Sequence, residues 1–332
     1  MSLRSYRSDD PRPGLFGLGW NLALYDSRLT SDGATLTLIT PDQNTVQLRP
    51  SGPSQWTSSE SVLLGAVVTQ LPGEFTFQIR YKDGTVHRYD RIAGFANTAG
   101  LAAITDRTGN TVTITRATLL PAFFGRITRI TEPGGRSFEL AYDLGRITRV
   151  TDPLGRTVQY TYDALGRLAT VTDPAGGVTR YAYDAQHRIV SITDPRNLTY
   201  LTNEYDAAGR VVRQTQADGG VFTFAYALAG DSITATTVTD PRGHTTLHRF
   251  NAQGFPLSTT DALGQTTSFE YAQGTNLLVA TTDPLGRTTR FTYDALGNVT
   301  TTTDPAGHPR TFTYEPTFNK VASITDPLGQ VI

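Results

Sequence analysis

Two short turn sequences alternate along most of this chain, and their regular spacing limits the fold more than any other feature. Residues 162–167 read YDALGR and residues 172–176 read TDPAG, so each turn places a Gly three residues after an Asp. An Asp at the first position of a type I turn accepts hydrogen bonds from that turn's backbone, and Gly tolerates the positive φ that follows. The pair recurs about every 21 residues from Glu132 onward, a period typical of repeat architectures. The repeating unit is therefore predicted to be turn, strand, turn, strand.

The recurring positions are the aromatic residue and the Asp of the YD turns, the Asp of the TDP turns, the Gly three residues after these Asp residues and, in one unit, the next Arg. We predict that these side chains shape turns and pack strands, and we expect no catalytic, cofactor-binding or metal-binding residue among them. These positions are Tyr142, Asp143, Asp152, Gly155, Tyr162, Asp163, Gly166, Arg167, Asp173, Gly176, Tyr183, Asp184, Asp194, Tyr205, Asp206, Gly209, Asp240, Gly243, Asp283, Gly286, Tyr293, Asp294, Gly297, Asp304 and Gly307. Six of the predicted turns begin at a residue other than Asp, namely Glu132, Ala217, Ala227, Asn251, Ala272 and Glu315.

The segments between turns predict short strands with two different faces. Tyr160 and Tyr162 are two residues apart and share one face of a strand, whereas Gln159 falls on the other face. Strands joined by tight turns are antiparallel neighbours. Some twenty such strands at ~4.8 Å spacing would make a ribbon about 100 Å wide, which an open twisted sheet does not sustain without curling. We predict an all-β fold, an extended antiparallel β-meander of short hairpin repeats that curls into a spiral or a partial barrel or cocoon wall.

The first part of the chain has a different pattern, so we divide the sequence into residues 1–120, a leader of short β-strands, and residues 121–332, the repeat array. Residues 14–20 place three Gly among large apolar side chains and predict close backbone packing around a buried Trp20. The pair Asp83 and Gly84 between alternating runs predicts a hairpin. Residues 50–60 are rich in Ser and Pro and predict a loose loop.

Composition argues against several function classes. The formal net charge is −1, so the protein has no overall positive field that would attract nucleic acid. The chain has no Cys, so disulfides and thiolate metal sites are excluded. No apolar run approaches the ~20 residues of a membrane span, and the N-terminus does not read as a signal peptide. His244 and His248 are four residues apart, but Thr245 follows the first where a zinc-protease motif needs Glu, so we interpret both as strand residues.

The repeats resemble a known family. YDALGR at residues 162–167 and YDALGN at residues 293–298, in phase with the TDP turns, look like the YD repeats of the RHS family. Residues 14–20 with residues 25–29, and the strand pair around Asp83, resemble the segment that opens RHS regions. The resemblance implies a β-sheet shell in a bacterial polymorphic toxin or related secreted protein. The implied partners are the rest of the shell and an enclosed C-terminal toxin domain.

From the resemblance we expect a non-enzymatic shell segment that helps to encapsulate a toxin or other cargo, secreted or at the cell surface as part of a larger exported protein. The chain stops at residues 326–332 on one more repeat turn, so we expect an excerpt of a shell or a truncated gene. The alternative is a cell-surface adhesion or carbohydrate-binding module that uses the aromatics; an autoprotease or hydrolase is the least favoured hypothesis. We expect no cofactor, and self-association through unpaired edge strands that light scattering would detect.

Overall fold

The computed structural model describes residues 4–8, 12–22, 25–73, 75–118 and 125–332. These residues form 32 β-strands and one short 3-10 helix (Ser61–Leu63), with no α-helix in the described part of the chain. Consecutive strands of the long sheet pair antiparallel, for example β17 (Thr157–Tyr162) with β18 (Leu168–Thr172). The predicted all-β antiparallel meander of hairpins is confirmed. The predicted boundary at residue 120 lies outside the described residues.

The strands in chain order are β1 (Arg4–Tyr6), β2 (Pro13–Gly14), β3 (Gly17–Leu18), β4 (Trp20–Leu22), β5 (Arg28–Ser31), β6 (Leu36–Ile39), β7 (Thr45–Gly52), β8 (Gln55–Thr57), β9 (Val67–Leu71), β10 (Thr76–Arg80), β11 (Val86–Arg91), β12 (Thr98–Thr105), β13 (Thr111–Arg116), β14 (Ile127–Thr131), β15 (Ser137–Asp143), β16 (Arg146–Thr151), β17 (Thr157–Tyr162), β18 (Leu168–Thr172), β19 (Val178–Tyr183), β20 (Ile189–Thr193), β21 (Thr199–Tyr205), β22 (Val211–Gln216), β23 (Val221–Ala229), β24 (Ser232–Thr239), β25 (Thr245–Phe250), β26 (Pro256–Thr260), β27 (Thr266–Tyr271), β28 (Leu278–Thr282), β29 (Thr288–Tyr293), β30 (Val299–Thr303), β31 (Pro309–Tyr314) and β32 (Val321–Thr325).

The chain forms two compact units. Unit 1 comprises Met1–Ser58 and Ala66–Thr202, and unit 2 comprises Ser59–Gly65 and Asn203–Ile332.

A closed barrel of the strands β5 to β12 forms the start of the long sheet in unit 1. Strand β12 closes it, because Gly100 pairs with Arg28 and Ala99 with Leu29 on β5. The other end of β12, from Ala103 to Thr105, pairs instead with β13, where the chain leaves the barrel. Side chains such as Leu29 fill the interior and are fully buried, as is usual in a barrel this small.

The Ser- and Pro-rich segment at residues 50–60 forms a hairpin, so the prediction of a loose loop there was wrong. Pro50 lies opposite Trp56, and Gly52 lies opposite Gln55. The register shifts between Pro50 and Gly52, and Pro is tolerated at a bulge because the ladder does not need its missing N–H there. Ser54 completes the turn with a φ of 55°.

After the barrel, β13 to β21 continue as a meander in which the strand order follows the sequence. The hairpins closed by YD turns share a β-bulge at the aromatic residue. In β17 and β18, for example, the register shifts between Thr161 and Tyr162. Such bulges strengthen the twist of the paired strands.

Unit 2 contains the strands β22 to β32, and two of its turns differ from the predicted positions. One turn begins at Gln216 and not at Ala217, because the Gly219 amide donates to the Gln216 carbonyl oxygen over 3.0 Å. No turn forms at Ala227. There β23 runs on to Ala229 and returns through a two-residue turn. The Ala227 side chain has no oxygen that could accept hydrogen bonds from the backbone of a turn, so the strand continues. Gly230 then supplies the positive φ that a tight hairpin needs.

Candidate functional site

The repeat turns are held by their Asp side chains. Oδ1 of Asp163 accepts hydrogen bonds from the amides of Leu165 and Arg167 over 3.0 and 2.9 Å. Its other oxygen pairs with the Arg167 guanidinium over 2.7 Å. The Gly166 amide donates to the Asp163 carbonyl oxygen, and Gly166 has a φ of +78°. The carboxylate is thus fully engaged by its own turn.

Most other predicted motif aspartates make the same pair of amide contacts, to the residues two and four positions later. They are Asp152, Asp173, Asp184, Asp194, Asp206, Asp240, Asp283, Asp294 and Asp304. Asp143 differs, because it lies opposite Arg146 across a two-residue turn. The amide and guanidinium of Arg210 lower the pKa of Asp206, which favours the ionised form. Such carboxylates suit turn capping and are poorly suited to act as general acids.

The motif glycines lie in the left-handed region, namely Gly155, Gly166, Gly176, Gly209, Gly243, Gly286, Gly297 and Gly307. Two units place another residue at this position, and the backbone keeps the same conformation. His187 has a φ of 66° and Asn197 a φ of 63°. Asn is one of the few residues that tolerate this region without a large penalty.

A ladder of tyrosine hydroxyls links successive units, and sequence reasoning missed it. The hydroxyl of Tyr162 donates to the Ile147 carbonyl oxygen over 2.6 Å, fifteen residues earlier. Ile147 flanks the register shift of the preceding hairpin. The same contact at the same spacing joins Tyr142 to Ile127, Tyr183 to Leu168, Tyr226 to Val211, Tyr293 to Leu278 and Tyr314 to Val299. The constant spacing of Tyr and an aliphatic residue was the signal available in the sequence.

Arginines that follow one turn stack on the tyrosine of the next unit. The Arg146 guanidinium carbon lies 5.3 Å from the ring centroid of Tyr162, and Arg167 lies 5.0 Å from that of Tyr183. Gly166 leaves room for this stacking, because a Cβ there would lie 2.3 Å from Nη2 of Arg146. Tyr205, another predicted motif position, is the last residue of β21. The motif residues therefore contact their own turns and the neighbouring hairpins.

One face of the repeat strands carries large aromatic side chains, and we call it the aromatic face. It includes Tyr160, Tyr181, Phe224, Phe269, Phe291 and Phe312. The intervening residues, for example Gln159, Arg180 and Arg249, are exposed on the opposite face.

In unit 1 the described N-terminal residues, 4–8 and 12–22, cover part of the aromatic face. The ring of Phe16 packs 4.8 Å from that of Tyr160, and the ring of Trp20 packs edge-on 5.1 Å from that of Tyr181. The Trp20 indole N–H donates to the Tyr183 hydroxyl over 2.9 Å. Phe16 and Trp20 are buried, so polypeptide covers this part of the sheet.

In unit 2 the aromatic face is less covered. Phe224, Phe291 and Phe312 are half-buried, whereas Arg249 and Arg290 on the opposite face are exposed. Among the described residues of this unit, the buried apolar side chains are Leu63, Ala235 and Ala280.

The histidines weighed as metal ligands serve the turns and strands. Nδ1 of His244 lies 3.1 Å from Asp240 Oδ2, and Nδ1 of His248 lies 3.2 Å from the Thr259 hydroxyl. In the described ranges no three His, Asp or Glu side chains group so that they could hold a metal ion. In the same ranges no helix is long and apolar enough to cross a membrane.

The fold and the turns define an all-β repeat protein whose unit is two short strands and two turns. The model of the RHS repeat family matches residues 143–178, 162–199, 205–245 and 274–309, which confirms the resemblance: the chain carries RHS repeats. This finding supports a structural role for these repeats.

Comparison with curated proteins finds no match. Among solved structures, a crystal structure of TcdB2–TccC3 is 13% identical over 90% of this chain, with a TM-score of 0.48. The Photorhabdus luminescens Tc holotoxin pore is 14% identical over 87% of it, with a TM-score of 0.49. The chain spans only 18% and 19% of those two chains.

Proposed function

We propose that this chain is a wall segment of an RHS shell, and that its aromatic face contacts an enclosed toxin domain or other cargo within a larger exported protein. The segment itself performs no catalysis in this proposal. Its partners are the rest of the shell and the cargo. Self-association through exposed strand edges stays a prediction.

The observation that carries the proposal is the difference between the two units. In unit 1 the aromatic face is packed against polypeptide, through Phe16 on Tyr160 and Trp20 on Tyr181. In unit 2 the equivalent side chains, such as Phe291, are half-buried. Half-buried aromatics on one face favour contact with another polypeptide, because aromatic side chains contribute large apolar areas at interfaces.

Site-specific photo-crosslinking tests which face meets the cargo. A photoreactive phenylalanine analogue replaces Phe291 in the full-length natural protein that contains this chain. Arg290 is the matched control, because it is the preceding residue of the same strand and lies exposed on the opposite face. We expect residue 291 to crosslink to a segment of the protein outside residues 1–332, and residue 290 to do so much less.

The same pair of positions separates the shell from the carbohydrate-binding alternative. Equal crosslinking from both positions, or none from residue 291, contradicts enclosure of a polypeptide. Binding on a glycan array that Phe291→Ser abolishes and Arg290→Ser leaves intact would favour the adhesion module.

A further inference from the structure

A cavity of about 410 Å³ lies in unit 1 beside the strands that close the barrel. Its polar wall is formed by Arg12, Asp26, Arg28, Gln43, Arg116 and Arg126. The volume falls within the range of small-molecule sites. The repeat turns and the aromatic face play no part in it.

Three buried nitrogen atoms of residues that line this cavity have no hydrogen-bond partner among the residues that the structure describes. They are Nε of Arg28, Nε2 of Gln43 and Nη2 of Arg116. All three are N–H donors, and Gln43 is a buried residue with 7% of its surface exposed. Buried donors are normally satisfied, so three on one cavity indicate an acceptor that binds there.

The charge of the wall indicates that the acceptor is an anion. Four arginines, Arg12, Arg28, Arg116 and Arg126, line the cavity, and Asp26 is the one carboxylate among its described lining residues. Asp26 lies 3.9 Å from Arg116, at the outer limit of an ion pair. Burial lowers the pKa of Arg116, Asp26 opposes that effect and Arg28 adds to it. An additional negative charge would relieve this repulsion.

Arg116 is fixed in place before any ligand arrives. Its Nη1 donates to the Gly125 carbonyl oxygen over 2.7 Å. The guanidinium passes over Gly100 on β12, where a Cβ would lie 2.6 Å from Nε. Its Nε donates to the Leu101 carbonyl oxygen over 3.4 Å, so Nη2 is the nitrogen left to donate to an anion.

The cavity is also lined by Asn21, Thr30 and Thr98 and by apolar side chains, and it reaches the surface. Leu15 and Ile92 are buried on it, and Phe95 lines it with 50% of its surface exposed. A ligand with an apolar body would contact these side chains while its charged end meets the arginines.

We propose that this cavity binds a small organic carboxylate, with the carboxylate at Arg28, Gln43 and Arg116 and the apolar body against Ile92 and Phe95.

Three probes test the ligand chemistry on the full chain at constant ionic strength. Sodium benzoate carries a carboxylate on a ring, benzamide is its neutral counterpart, and inorganic phosphate is an anion without an apolar body. We expect benzoate to bind in calorimetry and to raise the melting temperature, and benzamide and phosphate to do neither. No benzoate binding overturns the proposal, and equal binding of phosphate or benzamide overturns the carboxylate assignment.

Gln43→Glu provides a second readout, because it places a carboxylate of nearly the same shape inside the cavity. We expect this variant to melt at a higher temperature than the wild-type chain and to bind benzoate at least about tenfold more weakly, the loss of one hydrogen bond to a charged group. The matched control is Gln47→Glu, which adds the same charge at an exposed position of β7 in the same barrel. A lower melting temperature for Gln43→Glu than for Gln47→Glu would overturn the site, because burying an uncompensated carboxylate is destabilising.

Discussion

Replacement of Tyr162 by Phe tests whether the tyrosine ladder holds the repeats together. The change removes one hydroxyl and keeps the ring that packs on the strand. The Ile147 carbonyl oxygen then loses the partner that lies 2.6 Å away. Burial raises the pKa of Tyr162, so the hydroxyl is protonated at neutral pH and donates to that carbonyl.

The expected cost is about 1–3 kcal/mol of unfolding free energy, the usual penalty for leaving a buried acceptor unsatisfied. Urea titration measures it through the fluorescence of Trp20, which packs on the same face of unit 1. A Trp56→Phe background makes Trp20 the single tryptophan reporter. The Arg146 stacking on the ring is kept in this variant, so its contribution does not enter the difference.

Tyr200→Phe is the matched control in the same unit. Tyr200 is 40% exposed, and its hydroxyl has no hydrogen bond to the residues that the structure describes. A surface change of this kind is expected to stay within about 0.5 kcal/mol. Equal effects at Tyr162 and Tyr200, or no effect at Tyr162, would refute the role of the ladder.

Two further predictions concern the barrel and the turns. Burial lowers the pKa of His87 to about 4, so below the usual pKa of 6.5 the unfolded chain binds more protons than the folded chain. We expect the unfolding free energy to have its full value above that pH and to fall by about 2 kcal/mol between pH 7 and pH 5. Urea titrations at both pH values should show this pH dependence in the wild-type chain and not in His87→Gln. Gly166→Ala and Gly155→Ala share the backbone penalty of a φ near +80°, but only Gly166 lies against Arg146. Thermal melts should therefore show Gly166→Ala to be less stable by about 1 kcal/mol, and equal melts would argue against the stacking.

Local sequence patterns were enough to predict the strands and most of the turns. The Asp of a YD or TDP turn contacts amides two and four residues later, as at Asp163, so the turn is encoded within a few residues. The alternation of Tyr160 and Gln159 likewise decides which side chain faces the packed side. Where the local signal was ambiguous, prediction failed: residues 50–60 pair as a hairpin, and the turn expected at Ala227 is replaced by a later one.

The sequence by itself determined an all-β meander of hairpins, because its turn signals act over short distances. The tertiary structure decided which distant surfaces meet. Strand β12 divides its length between β5 and β13 and thereby closes the barrel. Trp20 contacts Tyr183, and the arginines of distant segments converge on one cavity. Such contacts depend on how twist and register accumulate over many strands, and no single turn encodes that sum.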